Sequence, residues 1–172
     1  MTVILNESDA LLDALAGQRV AVIGYGNQGR SWALNLRDSG LDVVVCVRAD
    51  PTRDTAVADG FAASDLEGAN DADVICLLVP DDVIPSLPLA PRPDALVIVA
   101  SGYTLAFGRI DPPCDAGMVA PRMLGPEVRR CYLEGVGFIT AVGSTATSPA
   151  RPGPGSWPWP RRSEDSAKER SR

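Results

Sequence analysis

Three glycines interrupt the stretch VAVIGYGNQGRSWALNL, where an apolar run meets an amphipathic one. Their spacing matches G-x-G-x-x-G at a predicted junction between a strand and a helix. In such a junction the first glycine permits a tight turn, the second lets the backbone approach a diphosphate, and the third lets helix and strand pack closely. The motif predicts a dinucleotide-binding loop, and the alternative is a glycine turn kept for packing alone. The predicted loop residues are Gly24, Tyr25, Gly26, Asn27, Gln28 and Gly29.

Apolar, β-branched runs alternate with shorter helical patterns along the chain. The runs predict five buried strands, at Arg19–Gly24, Leu41–Arg48, Ala72–Pro80, Asp94–Gly102 and Ala116–Pro121. The other patterns predict helices at Asp9–Ala16, Asn27–Asp38 and from Asp54 to Ala58, and a small strand at Phe61 and Ala62. Strands that alternate with helices in this way predict an α/β fold of the Rossmann type, with a doubly wound, mainly parallel sheet. Ligands of such sheets bind at the carboxyl edge of the strands.

The end of the second strand bears on the choice of coenzyme. A NAD site usually offers an acidic residue there to the ribose hydroxyls. This chain instead offers Arg48, Thr52 and Arg53, and two guanidinium groups with a hydroxyl suit a 2′-phosphate. The nearby Asp50 and Asp54 oppose that interpretation, because a carboxylate repels phosphate. We expect NADP, with NAD as the alternative if the arginines only balance the aspartates on a solvated loop.

Composition excludes several classes of function. Residues 1–143 contain ten arginines and nineteen carboxylates, an acidic balance that argues against nucleic-acid binding. No apolar run is long enough to span a membrane, and the N-terminus lacks the features of a signal peptide, so we expect a cytoplasmic protein. The four cysteines form no C-x-x-C pair and are expected to be structural. Histidine is absent from the chain, and its only lysine is Lys168.

Several segments in a fixed order carry a family resemblance. The ordered set VIGYGNQG, WALNLRDSGLDVVV, LLVPDDV, SGY-x-L-x-FG-x-I-x-PP and MVAPRMLGPEVRRCYLEGVG resembles ketol-acid reductoisomerase over roughly residues 10–143. The matched region corresponds to the N-terminal NADP-binding domain of that family. The resemblance implies conversion of 2-acetolactate, or its ethyl homologue, by a Mg²⁺-assisted alkyl shift and reduction with NADPH, in the synthesis of branched-chain amino acids.

The resemblance also implies site residues, and two of them depart from the family pattern. Pro80, Asp81, Ser101 and Gly102 are expected to line the nicotinamide end of the site. Family members have histidine where this chain has Ser101 and lysine where it has Arg122. Serine cannot replace imidazole as a proton carrier near neutral pH, and arginine does not easily release a proton. The family's Mg²⁺ ligands and its homo-oligomer contacts lie on a helical second domain, so we assign no metal ligand in this chain.

The last 29 residues differ from the rest of the chain. Apolar periodicity ends near Gly143, so we predict a dinucleotide-binding domain at 1–143 and a disordered Pro/Arg-rich tail at 144–172. With GC-rich codons started one nucleotide earlier, the tail can encode an amphipathic helix, AWVLALAEA, followed by Gly-Gly. We therefore interpret the tail as a frameshifted remnant of the helical domain; the alternative is a genuine disordered segment. A stop codon soon after codon 143 in the alternative frame would refute the frameshift.

Three functional hypotheses follow. The chain is the coenzyme half of a reductoisomerase-like oxidoreductase, expected to be inactive by itself. Alternatively, it is a non-catalytic module that binds NAD(P), which the absent histidine, the absent lysine and the missing metal carboxylates favour. A third possibility is a related reductase that acts on another 2-keto or 2-hydroxy acid, which the substitutions at Ser101 and Arg122 keep open.

Overall fold

A single seven-stranded sheet organises the protein. The computed structural model describes residues 12–145. The strands are β1 (Arg19–Ile23), β2 (Asp42–Cys46), β3 (Ala62–Ser64), β4 (Val74–Leu77), β5 (Leu96–Val99), β6 (Asp115–Pro121) and β7 (Thr140–Thr145). Their order in the sheet is β3-β2-β1-β4-β5-β6-β7, and every neighbouring pair is parallel except β6 and β7. This is the Rossmann order with one antiparallel strand added at the edge, which confirms the predicted fold class.

Within residues 12–145, four helices and two 3-10 turns connect the strands, and a third 3-10 turn precedes β1. The helices are α1 (Asn27–Asp38), α2 (Pro51–Ala58), α3 (Tyr103–Ala106) and α4 (Gly125–Glu134). Single 3-10 turns lie at Leu12–Leu15, Leu66–Ala69 and Ile84–Ser86. The first turn of α4 packs directly on the first turn of α1, since a Cβ added at Gly125 would collide with the carbonyl group of Asn27. Glycine is therefore required where these two helices meet.

The core lies on both faces of the sheet because the central strands are apolar at successive positions. Ala21 and Ile23 of β1 point to one face, and Val20 and Val22 point to the other; all four are fully buried. One face packs against α1 and α2, and the other packs against the turn segments. Strands covered on both sides show continuous apolar runs, which is the pattern in the sequence.

Some elements differ from their predictions. Helix α2 begins at Pro51, not at Asp54, because the Asp50 carboxylate accepts a hydrogen bond from the Thr52 N–H and caps the helix. Of the predicted helix Asp9–Ala16, the described part is a 3-10 turn. The small strand after α2 forms at Ala62–Ser64.

Three elements, α3, α4 and β7, were not predicted. Strand β7 continues to Thr145, two residues beyond the predicted boundary at Gly143. The remainder of the predicted tail, like residues 1–11, lies outside the described residues, so the division into 1–143 and 144–172 stays a prediction.

Candidate dinucleotide-binding site

The glycine loop crosses the carboxyl edge of the sheet between β1 and β4. Gly24 has a φ of +91°, a conformation that side chains rarely adopt. A Cβ at Gly24 would lie 2.7 Å from Val79 Cγ1 and 2.8 Å from the Leu78 carbonyl oxygen. The first glycine is therefore needed both for the turn and for the close contact with the chain that leaves β4.

The other two glycines of the motif differ in what surrounds them. A Cβ at Gly29 would collide with the Gly24 carbonyl, so the third glycine permits the close packing of helix on strand. A Cβ at Gly26 would have no neighbour within 4 Å in the part of the chain that the structure describes. The fold itself does not require the absence of a side chain at Gly26, and the space beside it is open to a ligand.

The first turn of α1 offers hydrogen-bond donors to an anion. Gly26 is the N-cap residue, and no side chain caps the helix or places a carboxylate in its first turn. The N–H groups of a first helical turn have no intrahelical acceptors, and the helix dipole adds positive potential there. An anionic group fits this position without having to displace a protein carboxylate.

A cleft of about 200 Å³ opens next to the glycine loop. It is lined by Gln28, Ala100, Ser101 and the segment from Leu77 to Asp81. Gln28 Nε2 donates a hydrogen bond to the Met123 carbonyl at 2.9 Å, and its buried Oε1 has no hydrogen-bond partner within residues 12–145. The fold thus brings Gln28, Pro80, Asp81 and Ser101 into one cleft. That this cleft holds the nicotinamide stays a prediction.

The remaining residues of the predicted nicotinamide end lie around this cleft. A Cβ at Gly102 would lie 3.0 Å from Met118 Sδ, so the chain passes close to β6 there. Ser101 Oγ accepts a hydrogen bond from the Tyr103 N–H at 3.3 Å. Arg122 is exposed at the end of β6 and does not line the cleft, and its side chain has no ion-pair partner within residues 12–145.

The segment after β2 holds the residues predicted to select the coenzyme. The Arg48 side chain is 82% exposed, and its Nε lies 3.8 Å from the Asp50 carboxylate. Asp50 is occupied in capping α2, and the hydrogen bonds from Thr52 lower the pKa of its carboxyl group. Arg53 pairs with Asp65 at 2.8 Å. Arg48 is therefore the guanidinium at this position that is most accessible to a ligand.

Tyr25 contributes its side chain to the interior of the protein, not to the cleft. The ring is 4% exposed and meets the Phe61 ring edge to face, with 5.8 Å between centroids. Its hydroxyl donates to the Asp59 carboxylate at 2.8 Å, and burial, with this bond, raises the pKa of the phenol. Only the main chain of Tyr25 can then face a ligand. The sequence pattern did not predict this contact with Asp59, since 34 residues separate the partners.

Metal-ligating side chains do not cluster within the described residues. No three His, Cys, Asp or Glu side chains within residues 12–145 come close enough together to hold a metal ion.

All four cysteines are buried and free, and burial raises the pKa of the Cys46 thiol to about 11 and that of Cys76 to about 12. The thiols of Cys46 and Cys76 are therefore protonated at neutral pH and inert, as expected for structural cysteines.

The strands form a mainly parallel sheet in this order, and the glycine turn leads into an uncapped helix. These features place the protein in the class of α/β dinucleotide-binding domains. Within that class, residues 14–153 match the family model described as "Acetohydroxy acid isomeroreductase, NADPH-binding domain". The chain belongs to this family, which confirms the resemblance to ketol-acid reductoisomerase. The match extends beyond Gly143.

Individual relatives agree with the family assignment. The chain is 46% identical over 150 residues to "Ketol-acid reductoisomerase (NADP(+))" of Caldivirga maquilingensis, covering 83% of this chain and 46% of the relative. It is 42% identical to "Ketol-acid reductoisomerase (NAD(P)(+))" of Metallosphaera sedula, covering 81% and 44%. A solved NADH-preferring ketol-acid reductoisomerase from an uncultured archaeon matches with a TM-score of 0.81 and 32% identity, covering 84% and 48%. The chain therefore spans about half the length of the relatives it matches.

Across residues 12–145, every helix is too short or too polar to cross a membrane.

Proposed function

We propose that this chain binds NADP(H) through the glycine loop, the first turn of α1 and the segment after β2. The observation on which the proposal depends is the open space at Gly26 beside an uncapped helix. A diphosphate approaching there meets backbone donors and no side chain. Arg48, Thr52 and Arg53 would hold the adenosine end, with NADP preferred over NAD because the exposed Arg48 suits a 2′-phosphate.

The cleft would receive the nicotinamide end of the coenzyme. Pro80, Asp81, Ser101 and Gly102 would surround it, and the unpartnered Gln28 Oε1 would accept a hydrogen bond from the ligand. NADPH supplies a hydride when it is bound. The domain responsible would be the unit predicted at 1–143, and the acidic balance of that unit disfavours nucleic acid as a partner.

The sharpest test uses Gly26→Ala, with Gly137→Ala as the matched control. Neither position has a neighbour within 4 Å of an added Cβ, and neither has a positive φ, so both variants should fold. In calorimetric titrations, Gly26→Ala should lose most NADPH affinity, because the methyl group occupies the path of the diphosphate. Gly137→Ala should bind like the original chain. Equal affinity in both variants would reject the loop as the binding site.

We further propose that the chain is the coenzyme half of a ketol-acid reductoisomerase of branched-chain amino acid synthesis. The parent reaction would convert 2-acetolactate to 2,3-dihydroxy-isovalerate. Ser101 and Arg122 occupy the positions of the family's histidine and lysine. Mg²⁺ ligands and oligomer contacts would have to come from residues other than 12–145, and we expect the location of the protein to be cytoplasmic.

A second candidate is a module that binds the coenzyme without turnover. The complete absence of histidine, and of lysine before Lys168, favours it. Adding 2-acetolactate and Mg²⁺ to the NADPH-loaded chain tests for turnover. Oxidation of NADPH, followed at 340 nm, rejects the module. Binding without oxidation is expected of the module and also of a coenzyme half that is inactive by itself, so the same assay on a chain read in the alternative frame after codon 143 then separates the two. Turnover of a different 2-keto acid would instead support a related reductase.

A further inference from the structure

Asp59, directly after α2, connects three separate parts of the chain. Its carboxylate accepts a hydrogen bond from the Tyr25 hydroxyl at 2.8 Å and forms a two-point pair with Arg30, at 2.7 Å and 3.0 Å. Its main-chain carbonyl accepts from Arg37 Nη1 at 2.6 Å. The side chain is 19% exposed. The carboxylate therefore holds the glycine loop, through Tyr25, and α1, through Arg30, against the end of α2, and the Asp59 main-chain carbonyl adds the contact with Arg37.

Aromatic packing also holds these side chains in place. The Arg37 guanidinium lies 5.0 Å above the centre of the Phe61 ring, and Phe61 meets Tyr25 edge to face. The side chains around Asp59 are thus confined by rings as well as by charge. We call Tyr25, Arg30, Arg37, Asp59 and Phe61 the Asp59 cluster.

The Asp59 cluster joins the two ends of the proposed coenzyme site. Tyr25 is the residue between the first two glycines of the loop that would hold the diphosphate. Helix α2 begins at Pro51, immediately after the segment with Arg48 that would hold the adenosine end. Because α2 is a rigid element of two turns, fixing Asp59, the residue that caps its C-terminus, to the glycine loop fixes the distance between the two anchoring points. None of the cluster side chains lines the cleft.

We propose that Asp59 is a positioning residue that sets how well the chain discriminates NADPH from NADH. The inference rests on the proposed function, because it requires that the loop and the segment after β2 hold one coenzyme. Asp59 acts through Tyr25 and α2 and does not touch the ligand. If α2 shifts relative to the loop, Arg48 no longer meets the 2′-phosphate while the diphosphate is bound, so NADPH loses more affinity than NADH.

The test compares Asp59→Asn with Asp73→Asn. Asp73 is a matched control, since it also pairs with an arginine, Arg92, at 2.6 Å and accepts a backbone N–H at 2.8 Å, but it precedes β4 at the opposite edge of the sheet. Dissociation constants for NADPH and NADH would be measured by calorimetry, together with the melting temperature of each variant. Tyr25→Phe provides a second, milder variant that retains the ring and its contact with Phe61.

The expected result is a selective loss of NADPH binding. Asp59→Asn should weaken NADPH about tenfold, the usual size of loss when a group that orients a ligand contact is removed, and NADH about threefold or less. Tyr25→Phe should change the affinity ratio in the same direction, and combining the two should add little. Asp73→Asn should lower the melting temperature and leave the ratio unchanged.

The outcomes distinguish this inference from the proposed function. If the unaltered chain binds neither coenzyme, the proposed function fails. If it binds NADPH and the folded Asp59→Asn and Tyr25→Phe variants keep its NADPH:NADH ratio, the inference is overturned and Asp59 is purely structural. If Asp59→Asn does not fold, the ratio measured for Tyr25→Phe decides.

Discussion

The two ends of the sheet are built differently, although the same chain forms both. The end that contains β1, β2 and β4 is covered on both faces, and its loops are joined by the Asp59 cluster. The end that contains β6 and β7 presents large apolar side chains to the surface, among them Leu133 at 66% exposure and Ile139 at 80%. Apolar packing is therefore concentrated at the end where the dinucleotide is proposed to bind, whereas ion pairs also occur on α4.

The two edge strands repeat this contrast. Strand β3 is three residues long, so it offers few unpaired backbone groups. Strand β7 is six residues long, exposed along most of its length and free of charged residues. Short edges and charged edges prevent edge-to-edge association between sheets. Only the β3 edge has this protection.

The largest loss of stability is expected from a substitution in the well-packed end of the sheet. Ile75→Ala removes a fully buried side chain at the centre of β4 and leaves a cavity, which should lower the free energy of unfolding by about 2–5 kcal/mol. Leu133→Ala, on the exposed face of α4, should change it by about 0.5 kcal/mol or less. Urea titrations measure both. Equal losses would contradict the difference between the two ends.

The next effect concerns the glycine loop itself. Gly29→Ala forces a methyl group against the Gly24 carbonyl, which should cost about 1–3 kcal/mol of stability and abolish measurable NADPH binding. Gly137→Ala serves as the control in the same denaturation and titration experiments. A Gly29→Ala variant with unchanged stability would show that the helix does not pack on the strand as described.

A smaller effect on the free energy of unfolding is expected at low pH. Arg30, with help from the Tyr25 hydroxyl, lowers the pKa of Asp59 to about 2. A carboxyl group whose pKa is depressed by folding stabilises the protein above its unfolded pKa, near 4, and that contribution is lost as the pH falls toward 2. Asp59→Asn should therefore flatten the decline of stability over this interval. Denaturation at a series of pH values measures it, with Glu127→Gln as the exposed-pair control. If the free energy of unfolding falls with pH as steeply in Asp59→Asn as in the original chain, the pairing of Asp59 with Arg30 is contradicted.

The smallest effect on stability is expected from a substitution on the edge strand β7. Val142 on β7 is 60% exposed, so Val142→Lys should alter the free energy of unfolding by about 0.5 kcal/mol or less. It should nevertheless reduce self-association at high concentration, because an inserted charge disfavours pairing of edge strands. Light scattering at increasing protein concentration tests this. Increased association in the variant would contradict the role given to the edge.

Local patterns were sufficient to predict most of the fold. Strands β1, β2, β4 and β5 are continuous apolar runs, which buried parallel strands require, and α1 follows directly from the glycine motif. Helix α4 was missed because it starts with Gly-Pro and buries few of its residues, chiefly Val128 and Cys131. Strand β7 was missed because TAVGST has no apolar alternation; pairing with β6, and not local preference, makes it a strand.

The site was predictable where a motif specifies backbone geometry, and less so where side chains meet over long separations. The glycine spacing predicts the turn at Gly24 and the close contact at Gly29. Pro80, Asp81 and Ser101 come from the family resemblance and lie in one cleft, and their role in binding stays a prediction. The Asp59 cluster joins residues 22 to 34 positions apart, and no spacing in the sequence indicates which carboxylate Tyr25 contacts. The Tyr25 side chain illustrates this, since its place in the motif gives no sign that it is buried.

The contact between Gly125 and Asn27 has a consequence for how this protein can vary. At that point two helices touch main chain to main chain, with no side chain in between that could be exchanged for a smaller or larger one. A shift of either helix must therefore be followed by the other. Sequence changes that would tune the start of α1 toward a different ligand are restricted by a helix almost a hundred residues further along the chain.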